Sequence, residues 1–185
     1  MQAIVDAVNQ GQINAELVAI ISNNSGSTAI QRARKERIPA FHVSSQTHPD
    51  PDKLDAAVAE ILTNAGTELV ILAGYMKKIG DQTLKAFKNR ILNIHPALLP
   101  KFGGKGMYGK RVHEAVLESG SPVTGVTIHL IDEQYDNGPI LAQEEVVVLK
   151  SDTADTLAER VLKLEHTLYP QTIAGIVSGE IALPA

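Results

Sequence analysis

The sequence predicts an α/β protein with a mainly parallel sheet covered by helices. Short, continuous apolar runs alternate with stretches of helical periodicity through the first half of the chain. The runs are too short for helices and end at turn-forming residues, which is typical of strands buried on both faces. The second half differs, because its two strand-like segments carry polar residues and flank a strong turn signal.

Four apolar runs predict the strands of the first half: Leu17–Ile21, Ala40–Val43, Leu69–Ala73 and Ile91–His95. Three helical stretches lie between them: Thr28–Arg37, Lys53–Asn64 and Asp81–Phe87. A further helix, Gln2–Val8, opens the sequence with no strand before it. In a fold of alternating strands and helices, a strand normally precedes such a helix.

The second half predicts an antiparallel pair and one long helix. Val126–Ile131 and Ile140–Leu149 flank the turn sequence Asp136-Asn137-Gly138, so we expect a hairpin-like pair. The last helix should begin near Ser151 and Asp152, which are good N-cap residues. Pro170 should bend or end this helix. Four of its apolar residues recur at helical spacing and predict a face packed on the sheet: Leu157, Val161, Leu164 and Leu168.

Composition favours a single domain that acts on a small molecule. The 185 residues suit one ordinary core, and we expect residues 1–185 to form one domain. A net charge of -4 is unlike that of a protein that coats nucleic acid. No membrane span or secretory signal is visible. The absence of cysteine excludes disulfides and sulfur-ligated metals, and these features together suggest the cytoplasm.

Asn93 and His95 stand two residues apart at the end of a predicted strand, before Pro96. In open α/β sheets, ligands gather at the carboxyl ends of strands. An amide and an imidazole on one face are able to stabilise an oxyanion, and the imidazole is also able to move a proton. From spacing alone, an equally good interpretation is that both side chains bond to backbone groups at the strand end.

Residues 132–139 form an acidic loop between the two later strands. A carboxylate there would orient His95 and favour its charged form if the two met in space. The alternative is that Asp136 bonds its own turn, as aspartate commonly does. The residues alone favour that alternative.

Gly104-Lys-Gly-Met-Tyr-Gly109 matches the glycine pattern of dinucleotide-binding loops. It does not directly follow a strand, so a glycine-rich loop over an active site is the better interpretation. His129 alternates within a strand and is interpreted as a core residue. No histidine spacing indicates a metal site. Six cations near the strand ends suggest attraction of an anionic substrate, although each is individually typical of a solvated surface: Lys77, Lys78, Lys101, Lys105, Lys110 and Arg111.

Five segments occur in an order that resembles the phosphoribosylglycinamide formyltransferase family. They are Leu72–Lys77, Leu92–Lys101, Gly125–Asp132, Asp136–Ile140 and Glu165–Pro170, together with Phe102–Gly109. The resemblance covers essentially the whole chain. It implies a three-layer, Rossmann-like formyltransferase fold and transfer of a formyl group from 10-formyltetrahydrofolate to the amine of phosphoribosylglycinamide, in purine synthesis.

The resemblance also implies roles for residues. Asn93, His95 and Asp136 match the catalytic trio of the family, and Glu165 matches a residue near the ribonucleotide substrate. The family segment that lines the folate pocket matches four consecutive residues: Met76, Lys77, Lys78 and Ile79. Asn93 is expected to contact the folate as well. No metal, nucleic acid or membrane partner is expected, and the protein should be a monomer or homodimer.

The sequence departs from the family in two places. Relatives begin with a strand and a glycine- and serine-rich phosphate loop before the helix that starts here near Gln2. We therefore expect the first strand of the fold and this loop to be missing from residues 1–185 and to lie upstream. Relatives also often carry a folate-contacting arginine near residues 49–52, and this chain has none there.

Three other functions remain open. The first is a formyltetrahydrofolate hydrolase, or a formyltransferase for another amine, on the same scaffold. The second is an inactive folate-binding remnant. The third is a nicotinamide-dinucleotide-binding module, as the glycine pattern suggests.

Overall fold

The computed structural model describes residues 1–185 as two sheets flanked by helices. The smaller sheet pairs β1 (Ile20–Ser22) with β2 (Ala40–His42) in parallel. The larger sheet has four strands in sequence order: β3 (Val70–Leu72), β4 (Ile91–His95), β5 (Val123–Leu130) and β6 (Ile140–Val147). β3 and β4 are parallel, whereas β4–β5 and β5–β6 are antiparallel. The α/β class is confirmed, as is the predicted antiparallel pair.

Six helices cover the sheets: α1 (Gln2–Asn9), α2 (Thr28–Lys35), α3 (Pro51–Asn64), α4 (Asp81–Ala86), α5 (Lys110–Glu118) and α6 (Ala154–Ser178). Polar caps set several of their starts. The side chain of Asp50 accepts from two amides of the first turn of α3, and Thr153 forms a reciprocal capping box with Thr156 at α6. None of these helices combines the length and the apolar character that crossing a membrane requires.

Consecutive residues of β4 enter different parts of the core, which shows that helices pack on both faces. Leu92 packs with Ile128, Tyr169 and Ile173, between the sheet and helices α1 and α6. Ile91 belongs to a second cluster, with residues of β3 and α3. Successive strand side chains point to opposite faces, so these two clusters fill the two sides of the sheet. A three-layer arrangement follows.

Two helical features differ from the sequence-based expectation. α5 was not predicted, although Val112 and Val116 are fully buried at helical spacing. α6 does not end at Pro170 but continues to Ser178. Proline removes one N–H from the helix ladder, and Tyr169 and Ile173, buried on either side of it, hold this part of α6 against the core.

An apolar groove of about 370 Å³ separates β1 from β3. The amide of Ile20 bonds to Pro39, and the carbonyl of Ser22 accepts from Val43, so the peptide groups of Ile21 point away from β2. The amide of Val70 bonds to Arg90, so those of Ile71 point away from β4. Both sets of backbone groups face the groove, whose wall is mainly hydrophobic.

Candidate active site

A cavity of about 700 Å³ opens where β3 and β4 end. Every site residue predicted from the sequence lines it: Met76, Lys77, Lys78, Ile79, Asn93, His95, Asp136 and Glu165. These residues come from the end of β4, two loops and α6, so only the folded chain assembles them. The carboxyl ends of strands are the expected position for a ligand site in an α/β sheet.

Pairing of β4 with β5 places Asn93 directly opposite His129. The Nδ2 atom of Asn93 lies 3.1 Å from Nε2 of His129, and Nδ1 of His129 lies 2.9 Å from the carbonyl oxygen of Leu130. Because a carbonyl oxygen only accepts, Nδ1 of His129 carries a hydrogen and Nε2 accepts from the amide. Burial lowers the pKa of His129, which favours this neutral form. The second N–H of Asn93 remains available to a ligand.

The β5–β6 loop carries Asp136 to the same place. Gly138 allows this approach, because a Cβ atom there would lie 2.0 Å from the carbonyl oxygen of Leu130. The carboxylate of Asp136 stands between two imidazoles, with Oδ2 3.7 Å from Nδ1 of His95 and Oδ1 3.6 Å from Nε2 of His129. Asp136 therefore faces both histidines. These side chains form one polar cluster, which consists of Asn93, His95, His129 and Asp136.

His95 is almost fully buried, and each ring nitrogen faces an oxygen atom. Its Nε2 lies 2.8 Å from the carbonyl oxygen of Phe102, and its Nδ1 faces Asp136. The amide of Gly104 donates to Oδ2 of Asp136 at 2.8 Å. The segment after β4 thus contacts both His95 and Asp136 through its backbone.

β5 and β6 also hold the chain that leaves His95. The hydroxyl of Thr127 donates to the carbonyl of Ala97 at 2.6 Å and accepts from the amide of Leu99 at 3.0 Å. Gln143 on β6 donates to this hydroxyl and to the carbonyl of Leu99. Gln143, one of the polar residues inside β6, therefore helps Thr127 to anchor the loop that follows His95.

The Met76–Ile79 segment forms the rim of the cavity between β3 and α4. Met76 is 65% exposed, whereas Ile79 is buried. Both lysines of the segment are exposed. An exposed thioether beside the polar cluster is suited to contact a flat, partly apolar ligand.

Glu165 lines the same cavity from α6, one turn before Tyr169. Burial raises the pKa of Glu165 from its ordinary value of 4.5 to about 7. The buried hydroxyl of Tyr169 lies 3.1 Å and 3.0 Å from the carbonyl oxygens of Leu72 and Leu92. α6 is therefore fixed to β3 and β4 beside Glu165.

Sequence reasoning missed two histidines of the cavity region. His129 is buried as expected of a core residue, but it also binds Asn93. His113, in the first turn of α5, is 5% exposed and its Nδ1 has no partner. Burial, and then the nearby His95, lower the pKa of His113. The signal for His129 was its alternation with Thr127, but the strand opposite could not be identified from the sequence.

Charges of both signs line the cavity. Four lysines contribute, and Lys110 among them pairs with Asp155 at 2.6 Å. Five carboxylates stand against them: Asp132, Glu133, Asp136, Asp155 and Glu165. The wall is therefore less basic than the lysines alone suggested. No group of three or more His, Asp or Glu side chains converges as ligands for a metal ion.

Residues 1–173 match the formyl transferase family. The chain is 42% identical over 179 residues to the chloroplastic phosphoribosylglycinamide formyltransferase of Arabidopsis thaliana, and the alignment covers 96% of this chain. It is 34% identical over 183 residues to the trifunctional purine biosynthetic protein adenosine-3 of Bos taurus, covering 99% of this chain and 18% of that protein. The chain spans 61% of the length of the Arabidopsis protein.

The fold agrees with these sequence matches. The structure of glycinamide ribonucleotide transformylase 1 from Symbiobacterium toebii superposes with a TM-score of 0.92 at 38% identity, covering 100% of this chain and 84% of that one. Phosphoribosylglycinamide formyltransferase from Bacillus halodurans gives 0.89 at 35% identity, covering 97% of this chain and 90% of that one. The predicted Rossmann-like formyltransferase fold is confirmed, and the chain belongs to the formyl transferase family.

Proposed function

We propose that this protein transfers the formyl group of 10-formyltetrahydrofolate to the amine of 5'-phosphoribosylglycinamide, a step in purine (IMP) synthesis. The observation that carries the proposal is the meeting of Asn93, His95 and Asp136 in one cavity of a formyl transferase chain. The names of its relatives in Arabidopsis and Symbiobacterium support the same amine substrate.

Asn93, His95 and Asp136 are assigned as the catalytic residues. Attack of the amine nitrogen on the formyl carbon forms a C–N bond and places negative charge on the formyl oxygen. The free N–H of Asn93 and an N–H of His95 stabilise that oxyanion. Asp136 faces His95 and stabilises its imidazolium. The tetrahedral centre then collapses, and the bond between the formyl carbon and the folate nitrogen breaks.

Protons balance across the transfer without any external reagent. The attacking nitrogen loses one proton as it becomes an amide, and the departing folate nitrogen gains one. His95 is the proposed proton carrier, because it lies at the end of β4 beside Asp136 and an imidazole is able both to accept and to donate a proton. No metal is assigned a role in the proposed reaction.

The two substrates are assigned to different walls. The rim residues Met76, Lys77, Lys78 and Ile79, together with Asn93, are proposed to bind the folate. Glu165 is proposed to bind the ribonucleotide, because its carboxyl group lines the cavity beside the cluster and changes charge near neutral pH. These assignments follow from position in the cavity and from the family resemblance.

A formyl-release assay tests the proposal against its alternatives. Purified protein is mixed with 10-formyltetrahydrofolate, with and without phosphoribosylglycinamide, and tetrahydrofolate formation is followed by absorbance. Release that requires phosphoribosylglycinamide and produces its formyl derivative is the expected result. Equal release without the amine would identify a hydrolase. Folate binding without release would identify an inactive remnant, and saturable binding of a nicotinamide dinucleotide alone would identify the third alternative.

We also propose that residues 1–185 are one catalytic domain and that a further strand completes its sheet in the groove between β1 and β3. The unpaired peptide groups of Ile21 and Ile71 face this groove, and Met1 lines it. A parallel apolar strand would satisfy both edges. A glycine- and serine-rich phosphate loop would then connect that strand to α1.

An N-terminal extension tests this domain proposal. Five residues rich in valine and isoleucine, joined to Met1 by a short glycine–serine linker, should raise the Tm by at least about 3 °C. The matched control has proline at alternate positions of the extension, so that it cannot pair. Equal Tm values for the two extensions would contradict the added strand. Two separate unfolding transitions in calorimetry would contradict the single domain.

The cytoplasm is the proposed compartment, and a monomer or homodimer the proposed assembly. The proposed substrates are small and diffuse freely, so the reaction is compatible with a monomer and with a homodimer. Sedimentation of the purified protein distinguishes the two. Fluorescent tagging in the source cell tests the compartment, which is an open point because the Arabidopsis relative is chloroplastic.

A further inference from the structure

The Phe102–Gly104 segment touches both members of the histidine–aspartate pair through backbone atoms. The carbonyl oxygen of Phe102 lies 2.8 Å from Nε2 of His95. Two residues later, the amide of Gly104 donates to Oδ2 of Asp136 at 2.8 Å. Backbone groups do not titrate and do not rotate freely, so these two bonds fix the ring and the carboxylate relative to each other.

The contact with Phe102 distinguishes the two ring nitrogens of His95. A carbonyl oxygen accepts hydrogen bonds and never donates, so Nε2 must carry a hydrogen. Nδ1 has no such partner, because the nearest atom of Asp136 is 3.7 Å away, beyond hydrogen-bond distance. In the neutral ring, Nδ1 therefore holds the free lone pair. Two other titratable side chains lie near the ring, His113 on α5 and His129 on β5, and burial lowers the pKa of each.

We propose that the Phe102–Gly104 backbone is a positioning element that holds neutral His95 as its Nε2–H tautomer and assigns proton transfer to Nδ1. This inference deepens the proposed function and rests on it. During formyl transfer, Nδ1 accepts the proton that the attacking amine loses, donates to the oxyanion as the Nδ1–H of the resulting imidazolium, and then delivers the proton to the departing folate nitrogen. Nε2 keeps its hydrogen throughout, donated to Phe102.

Two features keep the segment in place. Phe102 has φ 57°, a left-handed conformation that is unfavourable for a non-glycine residue. The packing of its ring on the buried hydrophobic residues of α5, β5 and α6 holds it in this conformation. Gly103 fills the space between Leu99 and Asp136, where an added Cβ would lie 2.5 Å from Cδ2 of Leu99 and 3.2 Å from Cβ of Asp136. The absence of a side chain at residue 103 thus permits the approach.

The tautomer is measured directly by NMR of the protein with 15N-labelled histidine. At about pH 8.5, where an ordinary histidine is neutral, two-bond nitrogen–proton correlations identify which ring nitrogen carries hydrogen. His95→Gln removes the His95 signals and so assigns them. The expected result is a single Nε2–H form. An Nδ1–H form, or an even mixture of both, would overturn the proposal.

Substitution of Gly103 tests the positioning role. Gly103→Ala should displace the segment, yield a mixture of His95 tautomers and lower kcat about tenfold or more, with a smaller change in KM for the folate. Gly26→Ala is the matched control, since Gly26 lies in an exposed loop where an added Cβ would meet only the side chain of Asn24, at 3.6 Å. An unchanged tautomer and unchanged kcat in Gly103→Ala would contradict the role.

The two kinds of readout separate this inference from the proposed function. The tautomer measurement on the unsubstituted protein needs no substrate, and it decides the inference whether or not Gly103→Ala folds. Absence of phosphoribosylglycinamide-dependent transfer would refute the proposed function and leave the tautomer result standing. The reverse outcome, transfer with an Nδ1–H ring, would refute the positioning role alone.

Discussion

β4 has two neighbours in the sheet, and they differ in how completely they are paired. β5 bonds to β4 on one side and to β6 on the other, and its residues from Thr124 to Leu130 are all buried. β3 has three residues and pairs only with β4, while its other edge faces the apolar groove. The catalytic candidates on β4, Asn93 and His95, have their cross-strand partners on β5, the fully paired neighbour.

Pairing on the β5 side explains the geometry of the cluster. Antiparallel register sets Asn93 opposite His129 and His95 opposite Thr127, so each polar residue of β4 has a cross-strand partner. A β-bulge between Ile128 and His129 adds a local change of twist at this point. None of these contacts involves β1 or β2. The cluster therefore depends on the larger sheet and is independent of how the groove is filled.

Amide hydrogen exchange should reveal the largest difference between the two regions. In the chain of residues 1–185, the amide of Ile71 at the open edge should exchange on the order of 10³-fold faster than that of Ile128 inside β5, because an unpaired edge opens without global unfolding. NMR-detected exchange measures both in one sample. Similar protection at the two amides would mean that the groove edge is already paired, and the comparison would fail.

Asn93→Ala should have the largest effect on catalysis. Removing one oxyanion donor typically lowers kcat by ~10²–10³, and Asn93 supplies the only side-chain amide of the cluster. The measurement is kcat for phosphoribosylglycinamide-dependent transfer. Asn64→Ala, at an exposed position at the end of α3, is the matched control and should retain activity. Near-normal kcat for Asn93→Ala would remove Asn93 from the mechanism.

His129→Phe should have a smaller effect, because His129 acts on the reaction through Asn93. The substitution removes the acceptor that orients the amide of Asn93. If this raises the activation free energy by about 1.4 kcal/mol, kcat falls about tenfold. His129→Gln supplies a replacement acceptor and should recover part of the rate. If both variants matched the unsubstituted enzyme, β5 would contribute packing alone and its distinction from β3 would not extend to catalysis.

The predictable part of the fold was the part with strong local signals. β4 was predicted with the residue limits that it has, because its apolar run ends at Pro96. β1 was predicted at residues 17–21 and observed at Ile20–Ser22, since an apolar run does not specify which of its residues pair. α5 was missed because only Val112 and Val116 mark its buried spacing after a glycine-rich loop.

The site was predictable in composition but not in geometry. Resemblance to a family selected Asp136 from an acidic loop in which a turn aspartate was the simpler interpretation. The meeting of Asn93 with His129 depends on the register of strands whose residues lie 36 positions apart, with α5 between them. No local pattern encodes such a register. The contacts of Phe102 with His95 and of Gly104 with Asp136 are equally invisible in sequence, because Phe102 and Gly104 make them with backbone atoms and not with their side chains.

The smallest expected effect is the change in stability of the substrate-free protein on Glu165→Gln. Because the pKa of Glu165 is raised from 4.5 to about 7, the folded protein holds this proton more tightly than the unfolded chain does. The stabilisation is complete below about pH 4.5 and is lost as the pH rises through 7. The glutamine variant, which never ionises, should therefore match the unsubstituted protein near pH 4.5 and exceed its free energy of unfolding at pH 8 by on the order of 2 kcal/mol.

Denaturant unfolding at the two pH values, with Glu159→Gln as the control from an exposed position of α6, measures this difference. An equal gain at both pH values would mean that Glu165 costs stability through packing and not through charge. A gain confined to pH 8 would show that α6, which packs on β5 and β6, tolerates an unfavourable, partly buried carboxylate at the position proposed for the ribonucleotide.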